Sequence, residues 1–286
     1  MKFSLIPINV GVESAEQIIG IAQLAEQQGL ESVWTFEHVI VPNDYESKYP
    51  YSGDGKMATT PETNFFDPLI AIAAAAMHTK TLRFGTGVNI LSQANPLYLA
   101  KQAASLDVLT NGRLMLGLGI GWLREEFDAM GVPFAKRGAR YDDYITAMRK
   151  VWSGETVSHQ SEFLQWENFK SFPLPVNKSK LPIVIGGATG KVYQRVARLG
   201  DGWYMPSSDA DDISAHIAKL KLACEQEGRA MDDIELTVMF SPKQGLDQIK
   251  RLQDLGVHRV TLFTSSLGAN FVDGMAKLSE DLISKV

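Results

Sequence analysis

Pro182-Ile183-Val184-Ile185-Gly186-Gly187-Ala188-Thr189-Gly190 leads into Val192–Leu199, closes at Gly200 and resumes at Trp203-Tyr204-Met205. A short apolar run bounded by glycine reads as a buried strand. Val192, Val196 and Leu199 then recur at helical spacing, Gly200 marks the helix end, and a second apolar run follows after two residues. Strand, helix and strand with short links form a βα unit, the building block of a parallel sheet.

The same unit recurs in both directions. Upstream, Phe3–Ile8 precedes a helix opened by Ser14-x-x-Gln17 and closed by Gly29, and Val33–Phe36 follows. Asp67-Pro68 and Asn95-Pro96 each set an N-cap before proline at the first helical position. Leu82–Thr86 lies between them, and Leu114–Leu116 follows the helix that ends at Asn111-Gly112. Tyr141, Ile145, Met148 and Trp152 mark one helical face. Downstream come a helix through Ile213, Ile217 and Leu220, a strand alternating at Ile234, Leu236, Val238 and Phe240, and a helix through Leu246, Ile249 and Leu252. Val260–Phe263 and a last helix from Phe271 complete eight units. Eight units without an interdomain linker predict one domain over residues 1–286, a (β/α)8 TIM barrel. Two stretches break the rhythm. Val39–Phe66 is expected to be an active-site loop after strand two, and Ser153–Lys180 to hold a small β-hairpin, Thr156–Ser158 with Phe163–Trp166, before strand five.

The chain has 286 residues, a net charge of −5 and one cysteine. That balance gives no broad basic face for nucleic acid, and a lone cysteine makes neither a disulfide framework nor a thiolate zinc site. The longest apolar run, Leu69–Met77, is far short of the ~20 residues that span a bilayer. A soluble, cytoplasmic protein with no membrane partner is expected.

In such a barrel the reacting groups stand at the C-terminal strand ends. The five histidines form neither H-x-H nor H-E-x-x-H, so no metal is expected. No strand carries an interior lysine and no G-x-S-x-G elbow occurs, which leaves the chemistry to a cofactor. Glycine and hydroxyls crowd three strand ends: Gly85-Thr86-Gly87-Val88, Gly117-Leu118-Gly119-Ile120-Gly121-Trp122 and Gly186-Gly187-Ala188-Thr189-Gly190. The third run opens a helix, whose free N–H groups and dipole suit a phosphate. Glu37-His38 ends strand two, where a histidine can serve as acid, base or orienting donor; a structural hydrogen-bonding role is the competing reading. Cys224 lies on an apolar helical stripe and reads as core, and Arg137, Arg140, Asp142 and Asp143 read as charges opening a helix.

Six segments in this order resemble the bacterial luciferase-like flavin oxidoreductase family: Ser32–His38, Leu82–Val88, Leu106–Arg113, Gly117–Phe127, Pro182–Gly187 and Ala197–Trp203. The resemblance implies a barrel that binds FMN or the deazaflavin coenzyme (F-420) at the C-terminal face. It implies that Thr86, Gly87 and Val88 back the ring, with Gly87-Val88 a non-prolyl cis peptide. Gly119, Ile120 and Gly121 would line the ring's edge, and Gly186, Gly187, Ala188 and Thr189 would hold the phosphate. His38, with Glu37, matches the family's active-site pair. The compact length and Gly121-Trp122-Leu123-Arg124-Glu125-Glu126-Phe127 are similar to the deazaflavin-dependent subgroup, whereas luciferase-type members tend to carry Glu-His-His. The activity implied is oxidation or reduction of a small organic substrate, by monooxygenation or hydride transfer, in a homodimer, with a separate flavin reductase for an FMN enzyme. Lys191, Arg195 and Arg198 offer a basic groove for the deazaflavin's acidic tail. A non-catalytic flavin-binding protein of the same fold is the alternative function. A cofactor-independent phosphosugar enzyme would need a strand-end lysine or carboxylate pair that the chain lacks.

Overall fold

The computed structural model describes residues 1–177 and 181–286. Eight parallel strands close into a barrel: β1 (Lys2–Ile6), β2 (Ser32–Thr35), β3 (Arg83–Thr86), β5 (Leu114–Gly119), β8 (Ile183–Gly186), β9 (Gly202–Met205), β10 (Glu235–Met239) and β11 (Arg259–Phe263). The short strand β4 (Asn89–Ile90) continues the line of β3 and pairs with β5. Closure is made by β11 against β1, from Lys2↔Arg259 to Ile6↔Phe263, and by β3 against β5, Phe84↔Leu114.

Helices α1 (Ala15–Gln27), α2 (Pro68–Ala76) and α3 (Pro96–Leu109) start at the caps the sequence predicts. Asp67 accepts the Ile70 amide at 2.9 Å, and Asn95 accepts those of Leu97 and Tyr98. The outer ring continues with α5 (Arg137–Val151), α6 (Val192–Leu199), α7 (Ala210–Glu227), α8 (Gly245–Asp254) and α9 (Phe271–Asp281). The short α4 (Arg124–Ala129), which periodicity did not reveal, follows β5. Strand β5 runs three residues beyond the predicted end, into its glycines. The hairpin is displaced to β6 (Val157–Gln160) and β7 (Gln165–Phe169). Ser161 Oγ accepts the amides of Phe163 and Leu164, which makes those residues the turn and moves the second strand on. The last three residues of the predicted insertion, 178–180, lie outside the described residues.

One apolar core fills the space between sheet and helices. A second, inside the barrel, is built on Ile6, Trp34, Met115, Val184 and Tyr204, with the Trp34 and Tyr204 rings stacked at 5.6 Å. Beneath it, at the N-terminal strand ends, buried Arg259 makes a bidentate pair with Glu31, both hydrogen bonds 2.8 Å. Burial opposes the Glu31 charge, yet hydrogen bonds from Arg259 hold that carboxyl at about 2. The Arg259–Glu31 pair fills this end of the barrel. Among the described residues, no helix is long and apolar enough to cross a membrane.

Candidate active site

Inward-facing positions alternate along each strand, so the last ones form the floor of the mouth. Phe36, Val88 and Met239 lie half-buried on the inner core, and Phe263 packs edge-on against Phe36 at 6.3 Å. The result is an apolar floor at the ends of β2, β3, β10 and β11. Val88 follows the cis Gly87-Val88 peptide. Its two methyls press on the glycines of the neighbouring strands: a Cβ at Gly186 would stand 2.6 Å from Val88 Cγ1, and one at Gly119 would overlap Cγ2. Three glycine-rich strand ends therefore converge on one side chain. Thr86 is buried below them, its Oγ1 donating to Gly117 O at 2.7 Å.

At the end of β8, Gly187 adopts φ +110°, a conformation that L side chains rarely adopt. Its amide is already committed to Tyr204 O, so Gly187 shapes the loop rather than donating to a phosphate. The following turn is open: a Cβ at Gly190 would meet nothing within 4 Å. No side chain caps α6, as none caps α4, α5 or α8, whereas α1, α2, α3, α7 and α9 are each capped by one. The Ala188 amide faces the Tyr51 hydroxyl; the positive end of the helix dipole at Thr189–Lys191 suits a phosphate.

His38 stands on the opposite rim. Its Nδ1–H donates to Glu126 Oε2 at 3.1 Å, and the amides of Val39 and Ile40 donate to Glu126 Oε1 at 2.6 and 3.4 Å. The pair is nearly enclosed, with side chains 12% and 2% exposed, and the imidazole meets Phe65 and Trp122 edge-on. Nε2 has no hydrogen-bond partner among the described residues and is the nitrogen free to accept or give a proton.

Glu37 occupies a separate environment from His38. It accepts from Asn89 Nδ2 at 2.7 Å and from the Ile90 amide, bracing the segment beyond the cis peptide, and it lines a 120 Å³ cavity with Asp67, Asn95 and Tyr98 between α2 and α3. Burial foremost, with lesser repulsion from Glu126 and Asp67, pushes its carboxyl up to about 7 against the two hydrogen bonds. Glu37 is placed to hold β4 rather than to touch a ligand over the floor.

The Val39–Phe66 segment closes over the mouth without regular structure. Glu125 Oε1 accepts the amides of Glu46 and Ser47, and Tyr45 and Tyr49 pack on Trp122. Tyr51 reaches the far rim, its hydroxyl 3.3 Å from where a Gly187 Cβ would lie. Burial pushes that phenol up to about 12, so the hydroxyl stays protonated. Both ends of the lid are held by Asn9, buried at 0% exposure. Its Nδ2 donates to Phe36 O and Phe66 O at 2.8 and 2.6 Å, and its Oδ1 accepts the Phe36 amide at 2.9 Å. The sequence gives Asn9 no role, nor Glu126 and Trp122, although the last two lie in the Gly117–Phe127 motif. A buried asparagine between apolar runs was the available signal for the first.

The predicted basic groove does not form. Arg195 is bound to Asp142 at 2.5 Å, and Arg198 lies on the outer flank beside Ile145 and Arg149; Lys191 alone of the three is exposed by the phosphate loop. Asp143, read as a helix-opening charge, bonds His159 Nε2 and Ser161 and docks the hairpin. Cys224 is buried, as a core residue. Among the described residues no cluster of three or more His, Cys, Asp or Glu side chains could hold a metal.

Residues 4–248 match the model of the luciferase-like monooxygenase family. An uncharacterized protein of Mycobacterium tuberculosis is 34% identical over 239 residues, covering 84% of this chain and 82% of the relative. Two solved structures share the fold over nearly the whole chain. The monooxygenase RslO1 from Streptomyces bottropensis superposes with a TM-score of 0.77 at 21% identity, covering 99% of each chain. The coenzyme F-420 dependent tetrahydromethanopterin reductase from Methanopyrus kandleri superposes with a TM-score of 0.76 at 15% identity, covering 99% of this chain and 98% of that one.

Proposed function

The chain belongs to the luciferase-like monooxygenase family, and on that footing we propose that it is an oxidoreductase that seats the deazaflavin coenzyme F-420 in the barrel mouth and acts on a small organic substrate. The observation that carries this reading is the join of an apolar floor around Val88 to a helix start without a side-chain cap at Thr189–Lys191. A flat ring fits the first and a phosphate the second. Once bound, a flavin-type ring supplies the redox chemistry that the side chains lack.

The chain's own residues do the rest. Phe36, Val88, Met239 and Phe263 support the ring, Gly119, Ile120 and Gly121 border it, and the turn through Thr189 and Gly190 receives the phosphate, with the Tyr51 hydroxyl beside it at Ala188. The lid excludes water, and Trp122 and Phe65 flank the substrate's place beside His38. Glu126 is a positioning residue: it fixes the imidazole through Nδ1 and leaves Nε2 to hold or move a proton on the substrate. The choice of deazaflavin over FMN is supported by the compact chain and the Gly121–Phe127 motif. An FMN enzyme would need a reductase partner instead. Exposed Ile70, Met77, Tyr98, Val108 and Leu109 on and beside α2 and α3 support a homodimer through that face.

The second reading, a flavin-binding protein without turnover, gives no use to a buried His38–Glu126 pair. Replacing His38 by alanine separates the two. Turnover on an identified substrate is expected to fall by about 100-fold or more while cofactor affinity is kept. Wild-type turnover in His38→Ala returns the histidine to a structural role.

A further inference from the structure

We infer that the cavity between α2 and α3, lined by Glu37 and Asn89, is a second ligand site, one that takes a primary ammonium group on a short apolar stem. The inference does not depend on what the mouth holds.

The cavity wall is of two kinds. Leu69, Ala94 and Leu99 are apolar, whereas Glu37, Asn89 and Asp67 supply acceptors. Its 120 Å³ is well above the roughly 10–15 Å³ that a single water needs. The polar part is unfinished. Asn89 is 3% exposed and donates from Nδ2 to Glu37, yet its Oδ1 has no hydrogen-bond partner among the described residues. Among the described residues, neither Glu37 nor Asp67 forms an ion pair with Lys, Arg or His. The charges that act on Glu37 are themselves negative: Glu126 on α4, hydrogen-bonded to His38, and Asp67 before α2. Burial and these two acids hold the Glu37 carboxyl at about 7, so above that pH the cavity contains an anion without a counter-ion.

The acceptors select the ligand. A primary ammonium has three N–H donors, and the Glu37 carboxylate, Asn89 Oδ1 and Asp67 Oδ2 offer three acceptors; Asp67 Oδ1 is already bonded to the Ile70 amide. A hard metal ion such as calcium takes about six to eight oxygens, which a wall half made of leucine and alanine does not supply. Water satisfies Asn89 Oδ1 but leaves the Glu37 charge unmet. An alkyl stem covers the apolar wall while the head meets the carboxylates. The proton on Glu37 and the ammonium compete for one place, so the site is strong where Glu37 is ionised.

The test uses n-butylammonium chloride as the probe, with binding read from the rise in melting temperature. Potassium chloride controls for charge without a stem, and n-butanol for a stem without charge. Wild type at pH 8 should show saturable stabilisation by butylammonium and none by either control at the same concentration. The alkylammonium stays protonated at pH 5 and at pH 8, whereas Glu37 does not stay ionised, so binding should be about a hundredfold weaker at pH 5. Glu37→Gln should bind at least tenfold less tightly at pH 8, equivalent to about 1.4 kcal/mol. Ala94→Leu, which narrows the cavity and keeps its charge, should also weaken binding. Absence of saturable binding by dilute wild type at pH 8 overturns the site and leaves the cavity to water. Stabilisation that potassium chloride matches, or that Glu37→Gln leaves unchanged, overturns it as well. Tyr98, at the rim, also belongs to the face proposed above for a homodimer, so the ammonium has two sources, a free amine or a lysine of a second copy. Protein concentration separates them: amine binding independent of it identifies the free ligand, and amine binding that weakens as dimer forms identifies the lysine.

Discussion

Glu37 and His38 adjoin in sequence and do different work. With Glu37 held at about 7 in the folded protein, above the ordinary 4.5, the native state binds that proton more tightly than the unfolded chain does. The stability this group contributes is complete below about pH 4.5 and is lost as pH rises through 7. Glutamine cannot ionise. Its carbonyl can accept the Ile90 amide, and its amide can donate to Asn89 Oδ1, a buried atom without a partner. Glu37→Gln should therefore melt roughly 3 °C or more above wild type at pH 8, with a smaller difference at pH 5. A lower melting temperature at pH 8 contradicts this placement of Glu37. On the other rim, Gly187 at φ +110° is a poor place for a charge test, because any side chain there strains the backbone. Thr189 is exposed at the helix start, where a carboxylate favours the dipole and opposes a phosphate. Thr189→Glu should keep its melting temperature and bind cofactor about a hundredfold less tightly, a loss of ~3 kcal/mol. Unchanged affinity in a titration moves the phosphate elsewhere. His38 was legible because a histidine at a strand end is rare and chemically pointed. Glu126 was not, since its value lies in meeting a residue 88 positions away.

At the level of elements, helix starts were the most legible feature. Ser14, Asp67-Pro68 and Asn95-Pro96 satisfy amides locally, so their meaning is written within four residues of sequence. The lid was legible only as a break in periodicity, because it is held from outside itself. Glu125 on α4 fixes its middle and Asn9 after β1 joins its ends. Leucine at position 9 would leave three buried backbone groups of Phe36 and Phe66 without their partner. At roughly 1–3 kcal/mol for each group stranded, less what water recovers, Asn9→Leu should lose about 2–4 kcal/mol of stability. Limited proteolysis should then cut between Val39 and Phe66 faster than in wild type. Equal stability and equal protection would mean that the lid is held by Glu125 and its aromatic contacts alone.

At the level of the whole molecule, the number of βα units determined the fold, since eight short-linked units close with one fixed handedness. The site followed only in part. Strand-end glycines could be read as close approaches, but not that two of them flank one valine, nor that Arg195 would be spent on Asp142. Such facts arise from packing between distant segments and are absent from any single stretch. The central claim is that the mouth seats a deazaflavin, and paired equilibrium titrations of the purified protein with F-420 and with FMN test it most directly. The account predicts tighter binding of F-420, weakening as salt screens its tail. Tighter binding of FMN, with oxygen uptake when that FMN is reduced, would contradict it.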